Sequence, residues 1–235
     1  MTKVPDFHTV PILALDTATD ACSVALEAND RLAWRCQVTP REHASRLLGL
    51  VDEVMGELGL MPANLAAVAW CHGPGSFTGV RIAAGVVQGI AWATRVPVVG
   101  ESTLAVMAQG AHRRSRARRV WSALDARMGE VYWGAYRLDE VSGLMRPLAR
   151  DRVCAPGALT VPETWDDAVA VGTGWQVYGE ELAARVGPPA ALDEVALPDA
   201  RDLLPFARHR LARRQTVTPR DAVPVYLRDR VTGRA

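Results

Sequence analysis

Residues 11–26, PILALDTATDACSVAL, decide the fold class, because an apolar run ends at Asp16, a polar turn follows and a second apolar run leads away. Short apolar runs bounded by turn residues predict β-strands, so this stretch predicts an antiparallel hairpin, with a third strand at 32–38. A similar unit, ALDARMGEVYWGAY, occupies residues 123–136, where Asp125 again follows Ala-Leu. This recurrence favours an internal duplication into two similar lobes.

Helical and strand patterns alternate after the first hairpin. Apolar residues recur every three or four positions over 42–58, which predicts an amphipathic helix. An apolar strand at 66–71 and a helix at 79–94 flank the glycine-rich loop HGPGSFTG. A short strand at 96–99 precedes a predicted helix at 101–111. This alternation predicts an α/β protein.

The later part of the chain is less regular. Residues 137–200 are rich in proline and weakly periodic, so we predict only one turn element there, at 169–174. A last helix is predicted over 203–213, with Pro205 tolerated in its first turn.

Charge and cysteine content narrow the class of protein. The 235 residues include 27 cationic and 26 anionic side chains, for a net charge of +1. That balance excludes a protein that grips nucleic acid by bulk charge alone. Four cysteines without a Cys-x-x-Cys pair are typical of reduced thiols, so the predicted location is the cytoplasm. The sequence shows no secretory leader and no membrane span, so no membrane partner is expected.

Two arginine clusters stand out against this balance. Residues 113–119 contain five arginines, and Arg208, Arg210, Arg213 and Arg214 lie near the end of the chain. Neither cluster is interleaved with stacking aromatic residues, which favours solvated charged faces. Contact with phosphates is the alternative.

The loop 73–79, GPGSFTG, is a candidate anion site, because a helix N-terminus preceded by glycines offers free backbone N–H groups. It lacks the Lys-Ser/Thr pair of a Walker A loop, so a tight structural turn is the alternative. Asp16 and Asp125 end predicted strands, where they would hold Mg²⁺ in a two-lobe ATPase or simply cap their turns. The predicted nucleotide site comprises Asp16, Thr17, Gly73, Gly75 and Asp125.

No catalytic residue and no metal site are predicted from motifs. The five histidines show neither His-x-x-x-His nor His-Glu-x-x-His spacing, and Ser76 does not lie in a Gly-x-Ser-x-Gly nucleophile elbow.

Several segments together resemble a known family. They are ILALDTATDACSVAL, REHASRLL, GPGSFTGVRIAAGVVQGIA, PVVGESTLAVMA, ALDARMGEVYWGAY and the terminal PVYLR. The family is TsaB (YeaZ-like), a subunit of the bacterial machinery that forms N6-threonylcarbamoyladenosine at position 37 of tRNAs reading ANN codons. GPGSFTGVR is the most specific of these stretches.

The resemblance implies a two-lobe actin/Hsp70/sugar-kinase-like (ASKHA) fold with duplicated ribonuclease-H-like lobes. The first lobe would comprise 1–108 with a returning C-terminal segment, 200–235, and the second would comprise 109–199. The catalytic relative TsaD carries a metal-binding His-x-x-x-His where this chain has Thr103 and Met107, neither of which suits such a metal. The implied role is therefore a non-catalytic scaffold or activator.

The resemblance also implies partners: a TsaD-like catalytic paralogue, a TsaE-like ATPase and tRNA. In the family, two helices of the first lobe pair with counterparts in TsaD. An apolar helix at 79–94 with Gly85 and Gly89 suits such pairing, and the same surface would form a homodimer in the isolated chain. The predicted interface residues are Leu47, Leu50, Val54, Val80, Ala83, Val87 and Ile90. Val87→Arg or Leu50→Glu is expected to leave the chain folded and to abolish partner binding.

Two other functions remain open from the sequence. An actin-like ATPase or small-molecule kinase would use Asp16 and Asp125 at the metal and phosphates, and ATP or ADP near the complex interface is the cofactor that the resemblance allows. A peptidase has no supporting catalytic constellation.

Overall fold

The computed structural model describes residues 10–161, 163–193 and 197–228, which divide into two compact units. The first unit contains residues 10–72, 76–102 and 198–224. The second contains the described residues of 73–75, 103–197 and 225–228.

The first unit is built on a five-stranded sheet in the order β3-β2-β1-β4-β5. Its strands are β1 (Ile12–Asp16), β2 (Ala21–Ala28), β3 (Arg31–Val38), β4 (Ala67–Cys71) and β5 (Val98–Glu101). The first three strands are antiparallel, whereas β4 and β5 run parallel to β1. Three helices pack on this sheet: α1 (His43–Leu58), α2 (Phe77–Thr94) and α5 (Leu204–Ala212).

Strands β1 and β4 are buried at every residue, as expected for central strands covered on both faces. Helix α1 packs on β2 and β3, and α2 packs on β4 and β1. The core between them is a continuous apolar cluster that includes Leu15, Leu47, Trp70 and Val87.

The second unit repeats this plan. Its six-stranded sheet follows the order β11-β10-β6-β7-β8, with a further strand, β9 (Arg152–Cys154), paired to β7. The other strands are β6 (Arg119–Arg127), β7 (Glu130–Asp139), β8 (Leu144–Pro147), β10 (Val169–Val171) and β11 (Ala191–Asp193). Listed from the opposite edge, the second sheet has the order β8-β7-β6-β10-β11. This order matches β3-β2-β1-β4-β5 of the first sheet strand by strand. The predicted α/β duplication is confirmed, with Asp16 in β1 and Asp125 in the matching strand β6.

Two helices belong to the second unit: α3 (Thr103–Ser115) and α4 (Thr173–Val186). Helix α3 packs on β6, β7 and β8, so the units part at residues 102 and 103 and not at the predicted 108. The returning segment of the first unit ends at 224, and 225–228 joins the second. Parts of the predicted boundaries, at 1–9, 194–196 and 229–235, lie outside the described residues.

Helix α4 was not predicted from the sequence, which indicated only a turn at 169–174. Two features explain why the sequence did not indicate this helix. Gly172 has φ +107°, and a Cβ there would lie 2.1 Å from the Ala123 carbonyl oxygen of β6. Only glycine therefore fits at position 172, directly before α4. Tyr178 interrupts the helix with φ −125°, and this kink breaks the periodic pattern.

Four tryptophans fill the core of the second unit. The ring of Trp121 stacks on those of Trp165 and Trp175, with centroid distances of 6.0 and 5.9 Å, and Trp133 packs at a tilt beside them. The Trp175 indole N–H donates to the Trp121 carbonyl oxygen at 3.1 Å. Among the described residues, no helix is long and apolar enough to cross a membrane.

Candidate functional site

The turn after β1 places Asp16 and Thr17 inside the first unit, where neither has any exposed surface. Asp16 Oδ1 accepts a hydrogen bond from the Ala18 N–H at 3.2 Å, which is the Asx arrangement that tightens a turn. Within the described part of the chain, Asp16 Oδ2 has no hydrogen-bond partner of normal geometry. The thiol of Cys71 beside it is a weak donor.

Burial raises the pKa of Asp16 from 3.8 to about 7, because the core disfavours the charged carboxylate. The Cys71 thiol and the Ala18 N–H oppose this shift, and the negative charge of Asp199 adds to it. Burial likewise raises the pKa of the Cys71 thiol well above its ordinary value, so that thiol stays protonated. A carboxyl in this setting serves the turn and offers no ligand to solvent.

The glycine-rich loop is tied to the same turn by backbone contacts. The Ser76 N–H donates to the Ala18 carbonyl oxygen at 2.7 Å, and Thr17 Oγ1 donates to the Gly79 carbonyl oxygen at 2.7 Å. A Cβ at Gly79 would lie 2.0 Å from the Thr17 carbonyl oxygen, so only glycine permits this approach.

The start of α2 is also capped from within. Ser76 Oγ accepts from the Gly79 N–H at 3.3 Å, and the Ser76 carbonyl oxygen accepts from the Val80 N–H at 2.9 Å. Three N–H groups of this junction, those of Ser76, Gly79 and Val80, therefore bond to protein oxygens. The contacts favour the structural-turn interpretation of the loop over an anion site.

The remaining predicted nucleotide residues also have local roles. Gly73 has φ +113°, is joined to Pro74 by a cis peptide bond, and accepts a hydrogen bond from the Thr103 N–H at 2.9 Å; Gly75 is half-buried. Asp125 accepts from the Arg127 N–H and pairs with its guanidinium, both at 2.8 Å. Nucleotide binding by these residues stays a prediction that their own contacts do not require.

The predicted interface residues do not form a surface in this chain. Six of them lie buried in the first unit's core, and the seventh, Ile90, is half-buried. The buried six are Leu47, Leu50, Val54, Val80, Ala83 and Val87. The prediction chose the larger apolar side chains, which recur at helical spacing because they face the chain's own sheet. Because both residues are buried, we now expect Val87→Arg and Leu50→Glu to destabilise the first unit itself.

The outer face of α1 and α2 is made of different residues. On α2, Gly85 and Gly89 are exposed, and added Cβ atoms there would meet nothing within 4 Å. Ile82 and Val86 beside them are half-buried, and Trp92 is 73% exposed. On α1, the exposed members of the same kind are Leu48, Gly49 and Gly56, and both glycines again have open space above them. We call this set the glycine face.

Thr103 and Met107, which the resemblance aligns with a metal-binding histidine pair, lie on α3 and are buried. A hydroxyl and a thioether do not fit such a metal. Within the described ranges, no three His, Cys, Asp or Glu side chains are grouped so as to hold a metal ion.

Most arginines of the two predicted clusters have acidic partners. In the first cluster, Arg114 pairs with Asp193, Arg118 with Glu140 and Arg119 with Asp167. In the second, Arg208 pairs with Glu27 and Arg210 with Glu101. These five arginines are therefore neutralised locally by carboxylates that lie far from them in sequence.

Comparison with known proteins agrees with the geometry. The family model described as "TsaD: tRNA N6-adenosine threonylcarbamoyltransferase" matches residues 37–233. The tRNA threonylcarbamoyladenosine biosynthesis protein TsaB of Escherichia coli K12 is 43% identical over 222 residues, which cover 94% of this chain and 95% of that protein. The chain belongs to the TsaB family.

Further relatives support the assignment of the family and of the fold. TsaB of Haemophilus influenzae is 35% identical over 227 residues, 94% of each chain. The structure described as YeaZ from Pseudomonas aeruginosa is 46% identical, with a TM-score of 0.87, and the match covers 93% of this chain and 100% of that one. The fold is thus the two-lobe ASKHA fold with duplicated ribonuclease-H-like lobes.

Proposed function

We propose that this chain acts in tRNA threonylcarbamoyladenosine biosynthesis as a non-catalytic scaffold or activator that binds a TsaD-like catalytic subunit through α1 and α2. Its membership of the TsaB family supports the pathway. The observation that carries the mode of action is the glycine face, an open surface with four glycines and exposed apolar side chains on two helices of the first unit that contact each other.

The energetics of this face favour a partner. A glycine inside an exposed helix costs about 1 kcal/mol relative to alanine, and the glycine face holds four such residues. Added Cβ atoms at Gly49, Gly56, Gly85 and Gly89 would meet nothing in this chain. Small residues let two helix backbones approach closely, which is the packing that a helical counterpart in another subunit would use.

The neighbouring apolar side chains supply contact area for the same partner. Leu48 is 54% exposed and Trp92 is 73% exposed, and tryptophan is among the residues most enriched in binding hot spots. An exposed apolar patch of this kind is also expected to pair with itself, so a homodimer through the glycine face is the state proposed for the isolated chain.

The non-catalytic role is supported by donor chemistry. The resemblance aligns Thr103 and Met107 with the catalytic relative's metal-binding pair, and both are buried; Asp16 is likewise buried, in the turn after β1. The chain would therefore order and present the catalytic subunit, while the ATPase subunit, tRNA and any nucleotide are engaged by the assembled complex.

Co-purification with the catalytic subunit tests the proposal. Gly85→Arg with Gly89→Arg should leave the fold intact, since both sites are open, and should abolish co-purification with the TsaD-like subunit. Gly179→Arg, at a helix position of the second unit with equally open space, is the matched control and should retain binding. Undiminished co-purification of the double variant would overturn the assignment of this face.

A further inference from the structure

Strand β5 is the last strand of the first sheet, and the segment that follows α5 runs along its open edge. Val98 and Val217 exchange two backbone hydrogen bonds, of 3.0 Å from the Val98 N–H and 2.9 Å from the Val217 N–H. This antiparallel bridge holds Val217 beside Val98, the first residue of β5. The segment that lies at this edge has the sequence RRQTVTPR, residues 213–220, which contains three arginines.

The bridge brings together arginines that are far apart in sequence. In antiparallel register, Arg95 precedes Val98 by three residues and Arg220 follows Val217 by three, so both belong to one end of the edge. Helix α2 also contacts the short 3-10 helix Pro219–Asp221, and Gln88 Nε2 donates to the Ala222 carbonyl oxygen at 3.0 Å. The opposite end carries Arg213 and Arg214, which directly follow α5.

These four arginines, which we call the β5-edge arginines, differ from their neighbours in being unpaired. All four are exposed, and in the part of the chain that the structure describes their guanidinium groups have no ion-pair or hydrogen-bond partner. Arg208 and Arg210 on α5, by contrast, pair with Glu27 and Glu101.

The acidic groups of β5 and of the neighbouring segment are few and already bonded: Glu101, the acidic residue of β5, pairs with Arg210. No acidic residue occurs between Asp202 and Asp221, and Asp221 already accepts a hydrogen bond from Thr218 at 2.6 Å. The segment also supplies Gln215 and Thr216, both common phosphate-contacting residue types. The local field is positive although the whole chain is almost neutral.

The spacing of the β5-edge arginines fits a polyanion. Arg220 lies six positions after Arg214, so the backbone between them spans at most about 20 Å. A nucleic-acid duplex carries one phosphate per about 1.7 Å of its axis, so an edge of this length meets several phosphates. Protein interfaces centre on apolar and aromatic residues, which are scarce along 213–220, and this favours RNA over an acidic protein.

We propose that the β5-edge arginines contact the phosphate backbone of the tRNA, so that this subunit holds part of the substrate itself. The inference rests on the proposed function, which provides the tRNA, but uses a surface separate from the glycine face. Phosphate contacts of this kind position the RNA without reading its sequence.

The test compares two triple variants in the complex assembled with the TsaD-like subunit. Arg213→Ala, Arg214→Ala and Arg220→Ala together remove three edge arginines. Arg41→Ala, Arg116→Ala and Arg150→Ala together remove three other exposed arginines that lack described side-chain partners, so the change in net charge is matched. Affinity for tRNA is measured by fluorescence anisotropy between 50 and 200 mM salt.

We expect the edge variant to weaken tRNA binding about tenfold or more at low salt. The slope of log affinity against log salt should fall by about 0.9 for each phosphate that an arginine no longer neutralises. The control variant should stay within about twofold of the unmodified complex. Equal weakening by both variants, or no change in either, would overturn the proposal. Unchanged tRNA affinity with loss of co-elution of the TsaE-like ATPase would also overturn it, in favour of a protein-docking edge.

Size-exclusion chromatography separates this proposal from the one it rests on. Both triple variants should still co-elute with the catalytic subunit, because none of their substitutions lies on the glycine face. Failure of the unmodified chain to co-elute would refute the proposed function, whereas failure of the edge variant alone would refute the assignment of this edge to RNA.

Discussion

The two units share one sheet plan but cover it differently. In the first, α1 connects β3 to β4 and lies beside α2, and both helices leave an outer face open. In the second, the described residues between β8 and β10 hold no α-helix, only β9 and a short 3-10 helix, Pro156–Ala158. The cluster of four tryptophans fills the second core. The two units thus share the strand order of the sheet but differ in the helices and side chains that pack on it.

This difference separates the surface proposed for binding, in the first unit, from the aromatic core that stabilises the second. The glycine face forms only where two long helices lie side by side, which is in the first unit. The second unit uses large aromatic side chains for internal packing, and its buried Trp121 and Trp165 indole N–H groups have no hydrogen-bond partner among the described residues. Substitutions on the glycine face should therefore weaken partner binding, whereas substitutions in the tryptophan cluster should lower the unfolding free energy.

The largest effect is expected for Val87→Arg, on the inner face of α2. Val87 has no exposed surface, so the variant buries a cation without a partner and should lose about 4 kcal/mol or more of unfolding free energy. Gly85→Arg on the outer face of the same helix should unfold within about 1 kcal/mol of the unmodified chain. Urea unfolding of both variants measures this contrast, and similar midpoints would contradict the described orientation of α2.

Trp121→Ala is expected to have the next largest effect, because it removes the ring on which two other tryptophans stack. The expected loss is about 3–5 kcal/mol of unfolding free energy. Trp92→Ala, at the exposed end of α2, should change stability by less than about 0.5 kcal/mol and instead weaken partner binding. Calorimetry together with co-purification distinguishes the two, and reversed outcomes would break the division between packing and docking.

Asp16→Asn should have the smallest effect, and one that depends on pH. Because the pKa of Asp16 is raised from 3.8 to about 7 in the folded chain, the folded state holds the proton more tightly than the unfolded state. The contribution of Asp16 to the unfolding free energy therefore falls as pH rises from about 4 to about 7 and does not change above that. The variant removes this loss, so it should be more stable than the unmodified chain by about 2–4 kcal/mol at pH 8 and much closer to it at pH 5.

Thermal unfolding at both pH values measures this dependence. Asp125→Asn, which removes one partner of an ion pair with an exposed arginine, is the control and should change stability by about 1 kcal/mol or less at either pH. A loss of stability in Asp16→Asn at pH 8 would show that the carboxylate is held by contacts stronger than those described.

Much of the first unit was predictable because its signals are local. The apolar runs around Asp16 and the periodic stripes of α1 and α2 come from burial on one side, which sequence spacing records. Which side of each helix is open was not predictable in the same way. Val87 and Gly85 lie on the same helix. The apolar pattern singled out Val87, which is buried, whereas the open face is at Gly85.

The remaining errors have non-local causes. Helix α4 is interrupted at Tyr178, so its stripe is broken, and its glycine entry is required by Ala123 of another strand. The sequence placed Arg114 and Arg213 in arginine clusters that were interpreted in the same way, as solvated charged faces. In the structure Arg114 pairs with Asp193, 79 positions away, whereas Arg213 has no partner among the described residues. Such pairings depend on the completed fold.

The contacts between the glycine-rich loop and the turn after β1 have a mechanical consequence. Ser76 bonds to Ala18, Thr17 bonds to Gly79, and the missing Cβ of Gly79 lets the two backbones touch. The first turn of α2 and the segment that carries Asp16 are therefore coupled as one stiff joint. A partner that slides α2 along its axis would shift the walls around this carboxyl, and docking would reach the centre of the first unit without any ligand entering it.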